Sequence, residues 1–125
     1  MKSKIEKLKE STNEVGEVIN YEAILKRCRV FDYTELLKVL NHNKSIFWSW
    51  GSHNFILDSV KDTRMFRMTV NGRYHKGHVY IFVNASDLFE VYLTTNHGKI
   101  VKKTDVFGIY FDVLVDWIDC IESKF

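Results

Sequence analysis

The sequence predicts an α+β fold: an antiparallel meander of about five strands, with two N-terminal helices and one C-terminal helix packed on one face, in the order α-α-β-β-β-β-β-α. Three observations predict it. Between Arg64 and Lys103, apolar runs alternate with a period of two and are broken by turn signals at Asn71-Gly72, at Asn84 to Asp87 and at Asn96-His97-Gly98. Two short segments ahead of the meander carry apolar residues at helical spacing, and so does one behind it. No proline interrupts any of them, and the 125 residues suffice for one core, so a single domain over 1–125 is expected.

Taken in order, residues 3–12 suggest a short helix with a thin apolar stripe of Ile5 and Leu8, and Gly16 weakens its continuation. Residues 1–19 are therefore expected to be a loosely attached N-terminal segment. Asn20 can cap a helix running to Val30, with Tyr21, Ile24, Leu25 and Cys28 on one side. Asp32 followed by Glu35 forms a capping-box pattern, flanked by a Phe31–Leu36 staple, and predicts a helix from Tyr33 to about Leu40 that ends at Asn41-His42-Asn43. Residues 45–50 and 53–57 read as an aromatic strand pair around Gly51-Ser52. A last helix from about Tyr110 to Glu122 has Phe111, Leu114, Val115, Ile118 and Ile121 as its stripe and Asp112, Asp116 and Asp119 opposite.

Within the meander, a two-residue turn at Asn71-Gly72 would set Val70 against Arg73 and Met68 against His75. A three- or five-residue loop around Ser86 then keeps Phe66, Met68, Val70, Val79, Ile81, Val83, Phe89, Val91 and Leu93 on one face. A two-residue turn at Asn96-His97 adds Ile100 to it. The other face carries Arg67, Tyr74, Lys76, His78, Tyr80, Phe82, Leu88, Glu90 and Tyr92, aromatics interleaved with cations. Such a face is either a second core layer or a binding surface. Trp48 and Trp50 share one side of their strand, and a sheet already supplied with large apolar residues has little room for both indoles. At least one is expected to line a groove beside Gly51 and His53.

Composition narrows the class. Hydrophobic content of 46% and aromatic content of 14% describe a folded chain, and the net charge of +2 neither demands nor excludes nucleic acid. The charge is uneven: residues 61–103 hold eight Lys or Arg against three acids, whereas residues 105–125 hold five acids against Lys124. Cys28 and Cys120 form no metal-ligand spacing and no disulfide framework, which suits a reducing cytoplasm. No membrane span or signal peptide is expected, and no cofactor is implied.

Catalytic patterns are sparse. His75 and His78 would lie on opposite faces of a regular strand unless Gly77 breaks the alternation. Asp112 and Asp116 lie one helical turn apart, a spacing far more often found in solubilising charge than in a pair of catalytic acids. The stretch Lys76 to Val83 shares the Lys-Gly opening of an RNA-recognition signature but departs from it at Val79 and Val83, and the element order differs.

The run Trp50-Gly51-Ser52-His53-Asn54-Phe55, with Phe66-Arg67, Val70-Asn71-Gly72, Lys76-Gly77-His78-Val79, Asp87-Leu88 and Gly108-Ile109-Tyr110-Phe111-Asp112, resembles small uncharacterised bacterial proteins associated with mobile elements. The likeness spans about residues 45–120 and implies a cytoplasmic accessory protein, with no activity or catalytic residue attached.

The leading expectation is a non-enzymatic module that binds a protein partner, or itself as a homo-oligomer, through the aromatic sheet face (Arg67, Tyr74, Lys76, Tyr80, Phe82, Tyr92) and a groove at Trp48, Trp50 and His53. A second reading is nucleic-acid binding by the basic meander, with Arg67, Arg73 and Lys76 on phosphates and Tyr74 and Tyr80 stacking on bases. A third is a small hydrolase or metal-dependent enzyme using His53, His75 and His78 with Asp112 or Asp116.

Overall fold

Asn20 and Asp32 start helices as their side chains dictate. In the computed structural model, which describes residues 15–41, 47, 49–57, 62–105 and 107–119, Asn20 is extended and its side chain accepts from the Ala23 backbone, opening α1 (Tyr21–Arg27). That helix stops short of Val30, because Cys28–Arg29 straightens into a two-residue strand, β1, pairing with Asn84 and Val83. Asp32 opens α2 (Tyr33–Leu40), its Oδ1 accepting from both the backbone N and the hydroxyl of Thr34. Glu35, three residues into the capping-box pattern, lies 3.5 Å from Lys38. The staple does form: Phe31 and Leu36 are both buried in one cluster. Helix α3 (Phe111–Ile118) starts one residue later than expected and is followed by Asp119; residues 120–125, including Ile121, lie outside the described residues, as does the expected helix over 3–12.

Strands β2 (His53–Leu57), β3 (Phe66–Asn71), β4 (Lys76–Asn84), β5 (Phe89–Thr94) and β6 (Ile100–Lys103) form an antiparallel meander in sequence order, with β1 beside β4. The registers show how loop length controls faces. Val70 pairs with Gly77 and Asn71 with Lys76, so the first hairpin has a four-residue loop rather than a two-residue turn. The slip is even, and every side chain keeps its expected face. The loop after β4 matches expectation, with Val83 opposite Phe89. The last turn holds three residues, Asn96 to Gly98, with Gly98 at φ +84° and the Thr95 N–H on the Lys99 carbonyl. This odd slip puts Ile100 opposite Thr94 and moves it to the other face.

Residues 45–50 are not a strand where they are described. Phe47 and Ser49 are helical and Trp50 sits in the turn that follows. Helical spacing brings the Phe47 and Trp50 rings to 5.5 Å on one side, where both are buried.

The α+β class and the element order stand, but the helices divide between two faces. Phe66, Met68, Val70, Val79, Ile81, Val83, Val91 and Leu93 are covered by α2, α3, Phe47 and Trp50. Tyr80, Phe82, Tyr92 and Ile100 are covered by Ile19 and Ile24, with Leu25, Cys28 and Met65 alongside. Leaving three aromatic rings wet would forfeit about 2–3 kcal/mol each, and α1 has an apolar stripe of its own to bury. Residues 15–19, expected to be loose, run along β6: Gly16 donates to Ile100, Ile100 to Glu17, and Ile19 to Gly98. The expected stripe of α3 is corrected at Phe111, which is 66% exposed, while Trp117 packs at the core margin.

Candidate functional site

The sheet face expected to bind is largely interior. Tyr80, Phe82 and Tyr92 are no more than 2% exposed. Their rings form a ladder, Tyr80 stacked on Phe82 at 6.5 Å and Phe82 edge-on to Tyr92 at 5.8 Å. From α1, Tyr21 joins it by a 2.7 Å hydroxyl–hydroxyl hydrogen bond to Tyr80. Tyr74 and Lys76 are exposed and Arg67 is half-buried. The expected groove does not form at Trp50, which is fully buried, its Nε1 donating to Asp119 at 3.1 Å. That acceptor, the residue capping the C-terminus of α3, removes the cost of enclosing the indole N–H. His53 is exposed, its Nδ1 2.8 Å from the Gly51 carbonyl, and Trp48 lies outside the described residues.

Beneath α1 lies a polar network that the sequence reading did not single out. Glu90 is fully buried. It accepts from Arg27 Nε at 3.0 and 3.2 Å, from Arg27 Nη2 at 2.8 Å, from the Tyr92 hydroxyl at 3.0 Å and from the Cys28 thiol at 3.3 Å. A lone Glu amid the aromatics of β5 and an Arg in the last turn of the preceding helix were the available signals. The network ties α1 to the sheet. Burial, with Glu90 beside it, pushes the Cys28 thiol up to about 12, so it stays protonated at neutral pH. Burial and the Glu90 charge likewise raise the Tyr92 phenol above its ordinary range.

The β3–β4 hairpin offers a different surface. From Arg64 to Ser86 the chain carries Arg64, Arg67, Arg73 and Lys76 with His75 and His78, and no Asp or Glu. Arg73, Tyr74 and Lys76 are exposed at its tip, Tyr74 by 52%. On the α1 side, Arg67 is opposite Tyr80 and Thr69 opposite His78, which makes Arg67 and His78 diagonal neighbours on one face. Gly77 stands in unbroken register opposite Val70, at φ +154°, where a Cβ would run into the Thr94 carbonyl oxygen, so glycine alone lets β4 approach β5 there. The His75 imidazole lies against the backbone of His78 and Thr94. Burial lowers the pKa of both histidines, and the Arg67 and His75 charges lower His78 further.

The catalytic grouping of histidines with Asp112 or Asp116 is not assembled. Both acids are exposed on α3, which covers the opposite face of the sheet from His78. Among the described residues no group of three or more His, Cys, Asp or Glu is placed to hold a metal ion. A cavity of about 330 Å³ lies between α2 and the sheet, floored by Phe31, Leu36, Val83 and Phe89 and rimmed by the Arg29–Asp87 ion pair. Among the described residues no helix is long and apolar enough to cross a membrane. Comparison with known proteins finds no matching family model, no matching curated protein and no matching solved structure, and supplies no link to mobile elements or to bacteria.

Proposed function

We propose that the protein is a non-catalytic binding module that engages single-stranded nucleic acid on the β3–β4 hairpin. One observation carries this reading: 23 consecutive residues, Arg64 to Ser86, hold four permanent cations and no acid, and they present a half-exposed Tyr74 beside Lys76 at the tip. Phosphates are met by the cations and a base stacks on Tyr74, the combination that sequence-tolerant single-strand binders use. Tyr80 has no part in it, because its ring is enclosed. Fluorescence anisotropy with labelled single- and double-stranded oligonucleotides tests the reading. Binding is expected at low salt, with a log–log salt slope of about −2 if three phosphates are neutralised. Lys76→Ala should flatten that slope by somewhat under one unit, and Tyr74→Ala should weaken single strands more than duplexes. Absence of binding at low ionic strength would refute it.

A second reading keeps the protein-partner or homo-oligomer expectation but moves its surface. Phe107, Tyr110 and Phe111, close in sequence at the junction of β6 and α3, are 77%, 66% and 66% exposed, and exposed aromatics of this kind are enriched at interfaces. Sedimentation over a concentration series, wild type against Phe107→Ser/Phe111→Ser, tests it: a monomer at every concentration removes the self-association form. A cytoplasmic location accompanies both readings, and a free Cys28 suits it.

A further inference from the structure

We propose that Arg67, His75 and His78 form a seat for a single oxyanion, a phosphate or sulfate group, and that the anion binds together with protons taken up by the two imidazoles. Of the four buried side-chain polar atoms that have no hydrogen-bond partner among the described residues, three belong to this cluster: Arg67 Nε, His75 Nε2 and His78 Nδ1. The fourth, Ser52 Oγ, precedes β2. Unsatisfied buried nitrogens are rare in folded proteins, and three in one cluster call for an acceptor. Arg67 Nε can only donate, and each imidazole nitrogen becomes a donor once its ring is protonated. An oxyanion supplies acceptors for all three at once and carries the countercharge that the cluster lacks.

Among the described residues no carboxylate is found beside the imidazoles to supply that countercharge. His78 is flanked by Arg67 of β3 and by His75, and no carboxylate contributes to the shift of either imidazole. From α1 the Tyr21 phenol lies near Arg67, bonded to Tyr80 and held protonated by burial, while Glu22 of the same helix is exposed. From β2, His53 stands opposite Thr69, which pairs with His78. Lys76 follows His75 and adds a further cation. Glu90, the buried acid of the same face, is fully engaged with Arg27, Tyr92 and Cys28 further along the sheet. The three residues are partly exposed, so a side-chain rotation of Arg67 or His78 opens the enclosed nitrogens to an ion from solvent.

The seat rests on the nucleic-acid reading for the carrier of the anion but not for its chemistry: a nucleic-acid phosphodiester and free inorganic phosphate present the same oxygens. The test is a histidine-selective NMR titration of the full chain, with inorganic phosphate in one arm and a single-stranded oligonucleotide in the other. Each is run about half a unit below and one unit above the ordinary histidine pKa of about 6.5, at matched ionic strength. The expected result is movement of the His75 and His78 signals, a rise of their pKa values on saturation, and an affinity up to about tenfold higher per pH unit for each proton taken up. His78→Gln should remove one proton's share of that pH dependence, His75→Gln/His78→Gln should abolish it, and Arg67→Gln should weaken binding at both pH values; their folding is checked by circular dichroism. If phosphate moves both histidines and the oligonucleotide does not bind, the seat stands and the nucleic-acid reading falls. If the oligonucleotide binds while neither it nor phosphate moves the histidines, the hairpin reading stands and the seat falls. Phosphate affinity independent of pH, or no response to phosphate, overturns the seat.

Discussion

Arg27→Ala takes away the guanidinium that makes three contacts to Glu90, at 2.8, 3.0 and 3.2 Å, and leaves the carboxylate with the Tyr92 hydroxyl and the Cys28 thiol. The Glu90 side chain is fully enclosed, whereas that of Arg27 retains 27% exposure. Removing one partner of a buried pair costs about 3–5 kcal/mol because the other charge stays desolvated. The partial exposure of Arg27 lets water approach and places the cost near the lower end, about 3 kcal/mol. With a urea m-value of about 1.5–2 kcal/mol/M, the unfolding midpoint should fall by about 1.5–2 M. Equilibrium urea denaturation followed by fluorescence and by circular dichroism measures it. The companion variant Arg27→Met/Glu90→Leu removes both charges and should lie within about 1 kcal/mol of wild type, or above it. A cost below about 1 kcal/mol for Arg27→Ala, or a double variant as unstable as the single one, would refute the idea that this ion pair fixes α1 on the sheet.

Gly77→Ala meets a backbone oxygen 2.2 Å away at φ +154° and should cost more than about 2 kcal/mol, whereas Gly16→Ala, with nothing within 4 Å and only φ +95° to strain it, should cost about 1 kcal/mol; thermal melts compare the two. For pH, the folded-state pKa values of His75 and His78 are lowered from 6.5, so their neutral forms contribute stability that is complete above 6.5 and lost as pH falls through the folded values. Urea midpoints should therefore drop on acidification below about 6.5, and less so in a His75→Gln/His78→Gln variant. A variant retaining Trp50 as sole tryptophan should emit blue-shifted light resistant to acrylamide, and Asp119→Ala, which orphans its buried N–H, should cost about 1–3 kcal/mol in urea denaturation.

Local rules made much of the fold legible. Asn20 and Asp32 start helices because a short polar side chain beside an extended backbone caps the first turn wherever the chain goes next. The alternation of Phe66, Met68 and Val70, and of Val79, Ile81 and Val83, marks strands because one buried face forces a period of two. Loop parity was beyond such rules: Gly98 at positive φ makes a three-residue loop where two residues were expected, and that single residue moves Ile100 to the other face.

Of the candidate site, the sequence alone determined the acid-free charge of the β3–β4 hairpin and the presence of an aromatic second face. It did not determine which of those faces meets water. Tyr80, Phe82 and Tyr92 would suit a surface or a core equally well by their alternation, and α1, held down by Arg27 on Glu90, makes them core. Trp50 likewise became interior because Asp119, 69 residues away, accepts its N–H. Burial is settled by competition among all the apolar surfaces of the chain for a limited interior, and by whether each enclosed polar atom finds a partner. Both conditions depend on residues distant in sequence, so tertiary structure alone placed the aromatic ladder inside and left the basic hairpin tip outside.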